Sequence, residues 1–326
     1  MKNPKIFIGP MSKNIVDAVI EYANENSINV GLIPSRRQVE FDGGYVNNWT
    51  TKEFFNYVKS KTDGVLLVRD HGGPNQGNKE DDGLVSLKED CKYFDVIHID
   101  VWKQYHDLHS GIEKTVELIK YCYGLNPNLL FEIGTEQSIR PFTSNDLDYL
   151  LQEVKIKLPY NILSQIKYAV IQSGTALEGN MNIGEYDKTK LESMVNVVKK
   201  HGLTSKEHNG DYLPPKLIEE KFKLGLNSIN IAPEFGQIET KIILDKMKEL
   251  SPELIDRFYQ VCFDSKKWVK WVSPDYKPEE NKEEIINISG HYVFSNEDII
   301  KLKSKLGISD DEIKKKIKNK LDDISF

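Results

Sequence analysis

The chain has 326 residues, 39% hydrophobic and 29% charged, a composition that supports a packed core and argues against disorder. Its formal net charge of −6 argues against general nucleic-acid binding, and no apolar run is long enough to predict a membrane span. Three widely separated cysteines (Cys91, Cys122 and Cys262), and an N-terminal apolar stretch too short for a signal peptide, favour a cytoplasmic protein without disulfides.

Eight short, apolar, β-branched segments recur along the chain. They lie at 5–9, 29–34, 64–69, 95–101, 129–134, 168–172, 202–207 and 227–232. Each ends in polar or glycine-rich residues, and most lead into an amphipathic helical pattern, so the spacing of about 24 to 39 residues matches one βα unit. Apolar strands alternating with helices predict an α/β fold with a parallel sheet, and eight units predict a closed TIM (β/α)8 barrel. An open, doubly wound sheet is the alternative.

Residues 251–326 fall outside the eight units. They contain an aromatic-rich helical segment, the charged linker KPEENKEE and two further helical patterns, the last rich in lysine. We therefore expect a barrel at 1–250 and a helical extension at 251–326 that packs on it.

Polar residues accumulate after the same end of nearly every predicted strand, where barrels of this kind build their active sites. Asp70 and His71 follow the third strand and precede two glycines, a pattern typical of a metal ligand beside a general acid or base. His208 follows the seventh strand and could supply a second imidazole. The carboxylates of Glu132, Glu136 and Asp100 could complete a shell for zinc or another divalent ion. The alternative is that both histidines are hydrogen-bonded loop residues.

Other polar residues near the strand ends are candidates for substrate binding. Arg36 and Arg37 carry the guanidinium fork that suits phosphate or carboxylate, although a solvent-facing arginine pair is an equal alternative. The remaining candidates are Gln38, Asn47, Asp100, Gln172, Asp211, Asn230 and Glu234. We interpret His98 as an interior histidine, and His106 and His109 as exposed loop residues.

Five stretches resemble, in order, one family of sugar-metabolising proteins: SRRQVEFDGGYVNNWTTKEFFNYV, RDHGGPNQG, VIHIDVW, FEIGTEQSI and KEHNGDYL. That family is the non-catalytic subunit of class II tagatose-bisphosphate aldolase, with related sugar 4-epimerases and tagaturonate epimerases. The resemblance runs through most of residues 1–250. It implies a TIM barrel related to class II aldolases, which use a divalent metal to stabilise an enediolate.

The resemblance also implies roles for individual residues. Asp70 would be the acid or base, His71 and His208 metal ligands, and Glu132 or Glu136 an acidic residue after the fifth strand. Gln38, Gly43 and Gly44 match the signature after the second strand, whereas Arg37 and the VNNW segment depart from it. The eighth strand lacks the histidine that typical class II fructose-bisphosphate aldolases use as a metal ligand.

These patterns predict a metal-dependent aldolase of class II type that reversibly cleaves a ketose phosphate. Asp70, Glu132 and Glu136 are the predicted catalytic groups, and His71, His208 and Glu136 the predicted ligands of a divalent ion, Zn²⁺ first, with Mn²⁺ and Mg²⁺ as alternatives. The same groups could epimerise a ketose at C4 by retro-aldol cleavage or deprotonation, and the divergent tail leaves open a role in surface-polysaccharide precursors. An alternative of another class is a non-catalytic subunit that stabilises an aldolase partner. We expect no nucleic-acid or membrane partner, and a homo-oligomer is compatible with these patterns.

Overall fold

Eight parallel strands close into a barrel in the computed structural model, which describes residues 3–179 and 181–325. The barrel strands, in spatial order, are β1 (Ile6–Ile8), β2 (Val30–Leu32), β3 (Val65–Gly72), β4 (Val96–Ile99), β5 (Leu130–Ile133), β6 (Ile166–Ile171), β9 (Thr204–Glu207) and β10 (Ser228–Ile231). Between β6 and β9, β7 (Leu177–Glu178) and β8 (Met181–Asn182) form a small antiparallel hairpin that the sequence patterns did not predict. The predicted eight strands and their closure are confirmed, and the open sheet is excluded.

Helices surround this barrel. Those of the predicted barrel region are α1 (Lys13–Asn26), α2 (Thr51–Lys59), α3 (Leu84–Tyr93), α4 (Leu108–Leu125), α5 (Ser144–Lys157), α6 (Tyr160–Leu163), α7 (Lys188–Lys200), α8 (Pro215–Lys223) and α9 (Pro233–Leu250). Several begin where the sequence places a capping side chain: Ser12, Thr50, Asp107 and Thr143 each accept a backbone N–H of the first turn. Within the described residues, none of the helices combines the length and apolar character that crossing a bilayer needs.

Residues 251–325 form four more helices, α10 (Glu253–Asp264), α11 (Lys282–Ser289), α12 (Glu297–Lys305) and α13 (Asp310–Ile324). Three short 3-10 helices lie among them, at Val269–Trp271, Pro278–Glu280 and Gly290–Val293. The segments from α10 to α12 share a second apolar core with the C-terminal half of α9. In contrast, α13 packs against α1, α8 and α9 and joins the main core. Because the chain leaves the barrel wall and returns to it, the division at residue 250 remains a prediction.

The barrel interior holds a buried ion pair between Lys206 of β9 and Glu132 of β5. Their charged atoms are 2.7 Å apart, and the two side chains are 1% and 0% exposed. On one side the Lys206 ammonium lies 3.9 Å from the ring centroid of Phe7, which packs edge-to-face on Tyr168. On the other side Glu132 faces the polar residues at the C-terminal ends of the strands. The ion pair thus connects the apolar interior to the candidate site.

Candidate active site

Four side chains converge at the C-terminal mouth of the barrel. Asp70 and His71 of β3, His98 of β4 and His208 just after β9 each offer one ligand atom, and these atoms all lie within 4.8 Å of one another. Asp70 lies at the centre: its carboxylate is 3.6 Å from His71 Nε2, 3.8 Å from His98 Nδ1 and 3.6 Å from His208 Nδ1. We call these four residues the histidine cluster.

An irregular end of β3 lets two adjacent residues join the cluster. In a regular strand, neighbouring side chains point to opposite faces. Here the register with β4 shifts between Arg69 and Gly72, and His71 has a left-handed backbone with φ of 47°. Gly73 follows with φ of +147°, and a Cβ there would approach the carbonyl oxygen of Asp100 to 2.6 Å. Because Gly73 has no side chain, the backbone at this turn can approach the carbonyl oxygen of Asp100 closely.

Hydrogen bonds orient two of the imidazoles from behind. His71 Nδ1 is 2.6 Å from the carboxylate of Asp100, which leaves Nε2 facing the cluster. His98 Nε2 is 3.0 Å from the carbonyl oxygen of Gly134, which leaves Nδ1 facing the cluster, where it accepts a 3.3 Å bond from the backbone N–H of His71. Carboxylate or carbonyl partners of this kind fix the ring and the tautomer of metal-ligating histidines.

The third imidazole is oriented by the interior ion pair. His208 Nε2 is 2.6 Å from Glu132, whose other oxygen binds Lys206. His208 Nδ1 is buried and has no hydrogen-bond partner among the described residues. An unpaired buried nitrogen is costly unless a ligand satisfies it. The cluster therefore presents imidazole nitrogens toward one point from three sides.

The electrostatics of the cluster favour an ionised Asp70. Burial alone would raise the pKa of Asp70, but the surrounding imidazoles, His71 first, outweigh it and lower that pKa. Burial opposes a charge on His71, yet Asp70 and Asp100 raise its pKa to about 9. A proton on His71 thus compensates two carboxylates, and a metal cation would supply the same compensation.

The cluster opens into a cavity of about 390 Å³, a size suited to a small metabolite. Barrel loops form most of its wall, while the C-terminal extension contributes Lys270, Trp271, His291 and Tyr292. Several lining atoms are buried and have no hydrogen-bond partner among the described residues: Gln76 Oε1, both side-chain amide atoms of Asn230 and both ring nitrogens of His291. Polar atoms in this state are suited to the hydroxyl groups of a ligand.

The structure brings many of the predicted site residues to this cavity. Those that line it are Asp70, His71, His208, Glu136, Arg37, Gln38, Asp211 and Asn230. Glu136 lies outside the group of four possible ligands, so its predicted role as a metal ligand gains no geometric support. Asp211 caps α9 by accepting the backbone N–H groups of Ala232 and Glu234.

Other predicted residues lie elsewhere. Glu132 and Asp100 sit behind the histidines and orient them. Arg36 is buried in ion pairs with Glu40 and Asp81, which occupy its guanidinium fork.

Three further candidates make contacts away from the cavity wall. Gln172 bonds to backbone groups of neighbouring loops, and Glu234 pairs with Lys320. Asn47 lines a separate cavity next to α12. Their polar groups have structural partners or face another part of the surface.

His98 is buried, as its interpretation as an interior histidine implies, but it also belongs to the histidine cluster. Its alternation with Asp100 on one face of the strand was the available signal. Sequence reasoning missed several residues of the cavity wall. Lys103 and Gln76 follow predicted strands but were not singled out. Lys270 and His291 come from the extension, and no local pattern shows that their segments fold over the mouth of the barrel.

No protein-family model matches the chain, and no curated protein matches it. The structure is similar to a probable tagatose 6-phosphate kinase from Sinorhizobium meliloti 1021, with a TM-score of 0.78, 16% identity and 99% of both chains covered. It is also similar to a fructuronate-tagaturonate epimerase from Cohnella laeviribosi, with a TM-score of 0.61 and 12% identity over 99% of this chain and 78% of that one. For a fructose-bisphosphate aldolase from Campylobacter jejuni the TM-score is 0.59, at 13% identity over 98% and 90%.

The chain has the fold of these sugar-metabolising proteins. At such identities the similarity establishes the fold and leaves the reaction to be argued from the site. The neighbours are of the kinds that the sequence motifs resemble: tagatose-phosphate proteins, aldolases and a tagaturonate epimerase.

Proposed function

We propose that the chain is a metal-dependent lyase of class II aldolase type that reversibly cleaves a ketose phosphate. One observation carries the proposal: three imidazoles, each tied through one nitrogen to a carboxylate or carbonyl, direct the other nitrogen toward Asp70 in an open cavity. Three histidine ligands with an open fourth position are typical of catalytic zinc.

The residues present fit a divalent metal. His71 Nε2, His98 Nδ1 and His208 Nδ1 would hold it, with His98 Nδ1 giving up its long 3.3 Å bond from the His71 N–H. The metal would satisfy the buried, unpartnered nitrogen of His208. The nitrogen-rich donor set favours Zn²⁺ over Mg²⁺, with Mn²⁺ between them. When bound, such an ion acts as a Lewis acid that polarises a ketose carbonyl.

Asp70 is the residue placed to move the hydroxyl proton. Its ionised carboxylate can accept the proton of the C4 hydroxyl, whose oxygen then forms the aldehyde as the C3–C4 bond breaks. The electron pair of that bond stays on C3 of the released ketose fragment, where a proton must be added. Glu136 lines the same cavity and is our candidate for that proton transfer. Glu132 is bound by Lys206 and His208, so we assign it to positioning His208.

The cavity wall supports a polyhydroxylated substrate. Asn230 offers both an amide donor and a carbonyl acceptor, and Gln76 offers an acceptor, all buried and unpartnered in the described part of the chain. A sugar hydroxyl can donate and accept at once, so it matches such mixed groups.

The test is to incubate the purified chain with Zn²⁺, Mn²⁺ or Mg²⁺ and ketohexose phosphates or bisphosphates, recording triose release and C4 epimers. We expect Asp70→Asn to lower kcat by about 10²- to 10⁴-fold while metal content is retained. His71→Ala should lose both metal and activity, whereas His106→Ala, at an exposed loop position, should keep both.

Two outcomes would contradict the proposal. Epimer formation without triose release would replace the lyase by a 4-epimerase that uses the same site. No turnover, together with a chain that binds no divalent metal, would favour a non-catalytic subunit.

A further inference from the structure

Three cations meet at the rim of the cavity, and we call them the rim cluster. Arg37 follows β2, Lys103 follows β4 and Lys270 belongs to the C-terminal extension, yet all three line the same cavity as the histidine cluster. Within the described residues, none of them forms an ion pair within 4.0 Å. Arg37 makes one long 3.4 Å hydrogen bond to the Gly77 carbonyl. The Lys270 ammonium lies 4.2 Å from the ring centroid of Trp271.

Without a bound anion, burial and mutual repulsion disfavour the charged forms of the lysines in the rim cluster. Desolvation, followed by the charges of Arg37, Lys103 and Lys267, lowers the pKa of Lys270 to about 7. Desolvation and the charge of Arg37 also lower the pKa of Lys103. Glu136 is the acidic group whose charge acts on both lysines, and it offsets only part of the repulsion. A bound anion would remove the remainder.

We propose that the rim cluster binds the phosphate group of the substrate, so that the C-terminal extension completes the active site. This inference rests on the proposed function and specifies its substrate class: an open-chain sugar with a terminal phosphate. Arg37, Lys103 and Lys270 are only partly compensated by Glu136, together with Asp100 and Asp70 in the case of Lys103. A phosphomonoester carries a charge of about −1.5 to −2 at neutral pH, so it would favour the charged forms of both lysines more strongly than a carboxylate with its single charge.

The cavity wall joins the rim cluster to the reacting groups. Asn230 and Gln76 line the cavity with buried, unpartnered polar atoms, alongside the rim cluster and the histidine cluster. A sugar held by its phosphate at the rim would reach Asp70 with its hydroxyl groups facing these side chains. Binding energy from the phosphate would then position the carbon atoms that react.

The test uses binding rather than turnover, so that it is independent of the metal and of catalysis. Isothermal titration of the EDTA-treated full chain compares a hexitol 6-phosphate, the unphosphorylated hexitol and a hexonate, none of which has a carbonyl to react. We expect the phosphate to bind at least about tenfold more tightly than the other two. Lys270→Met and Lys103→Met should each remove most of that preference. Lys305→Met should leave it unchanged, since Lys305 is exposed, has no described partner and lines none of the described cavities.

A second readout is proton uptake at pH 8. Lys270 is then mostly neutral in the free protein, and a bound phosphate dianion should protonate it, so the heat of binding should depend on the ionisation enthalpy of the buffer. Lys270→Met should reduce this dependence. The charged and titratable groups around Lys270 are Arg37, Lys103, Lys267, Glu136, His291 and Tyr292.

The inference is overturned if the hexitol phosphate shows no preference, if the hexonate binds as tightly, or if folded Lys270→Met and Lys103→Met retain wild-type affinity. Should Lys270→Met fail to fold, Arg37→Gln provides the same comparison from the barrel side. A phosphate preference without any turnover would contradict the proposed lyase activity but support the phosphate-binding site.

Discussion

Glu132 shows how one side chain links the stability of the barrel to the geometry of the site. Its two oxygens hold Lys206 at 2.7 Å and His208 at 2.6 Å. The positive charge of Lys206 outweighs the cost of burial and lowers the pKa of Glu132, so the carboxylate stays ionised in the interior. A buried ion pair need not stabilise a fold, but removing one partner leaves an uncompensated charge.

We therefore expect Glu132→Gln to lower the free energy of unfolding by about 3–5 kcal/mol, measured by urea denaturation. The variant should also weaken metal binding, because His208 loses the carboxylate that orients it. Glu280→Gln removes a partner of the exposed Lys277 and should change neither quantity. If Glu132→Gln is as stable as the wild type, Lys206 does not need the charge of Glu132 for stability, and the prediction is wrong.

His291 gives a prediction about pH. Burial, reinforced by the charge of Lys270, lowers the pKa of His291 to about 3, well below the value of about 6.5 expected in the unfolded chain. The unfolded chain therefore binds a proton that the folded one does not, so this contribution to stability is present above pH 6.5 and is lost as the pH falls toward 3. Between pH 6.5 and 5 the loss amounts to about 2 kcal/mol.

His291→Asn should remove that part of the pH dependence, seen as a shallower decline in stability on acidification than in the wild type. His109→Asn, at an exposed position, should decline like the wild type. Parallel curves for wild type and His291→Asn would mean that His291 titrates normally.

At the residue scale, the sequence revealed the polar strand ends but not the partners of each side chain. Asp70 and His71 could be predicted because they directly follow an apolar run and precede two glycines. His98 could not be separated from an ordinary interior histidine, because its role depends on the carbonyl of Gly134 and on Asp70, both brought to it by other strands. Arg36 looked like an anion site. Its partner Glu40 lies four residues away with an orientation that the sequence does not show, and its partner Asp81 lies 45 residues away.

At the scale of elements, local pattern was sufficient for the strands. Most barrel strands are short apolar runs whose residues are largely buried, a pattern that hydrophobic periodicity detects without tertiary information. The exception is β9, with the sequence TSKE, which was predicted from its place in the βα repeat. The irregular end of β3 was not predictable, since it depends on close packing of Gly72 and Gly73 against β4. The packing of α13 was not predictable either: its apolar stripe shows that one face is buried, but its neighbours are distant in sequence, and α1 lies almost a full chain length away.

The stripe of α13 consists of Ile313, Ile317, Leu321 and Ile324, each at most 1% exposed. We expect Ile317→Ala to lower the free energy of unfolding by about 2–5 kcal/mol, because a cavity would open where the helix packs on the barrel wall. Ile300→Ala on α12 is the matched control: Ile300 is 53% exposed and should cost less than about 0.5 kcal/mol. Equal effects in the two variants under urea denaturation would mean that α13 is not docked on the barrel.

At the scale of the whole molecule, the closed barrel explains why a site could be anticipated at all. Eight βα units place all strand ends at one mouth, so polar residues scattered over the sequence become neighbours. No comparable rule predicts where the C-terminal extension packs. Lys270 and His291 reach the cavity because the segments between α10 and α12 fold back over that mouth on a second apolar core, an arrangement fixed by long-range packing.

Anomalous diffraction from a zinc-soaked crystal would show whether the histidine cluster holds a divalent metal. We expect one strong peak at about 2.0–2.1 Å from His71 Nε2, His98 Nδ1 and His208 Nδ1, beside the carboxylate of Asp70. A cluster without a peak at saturating zinc, or a zinc ion bound only elsewhere on the chain, would contradict it.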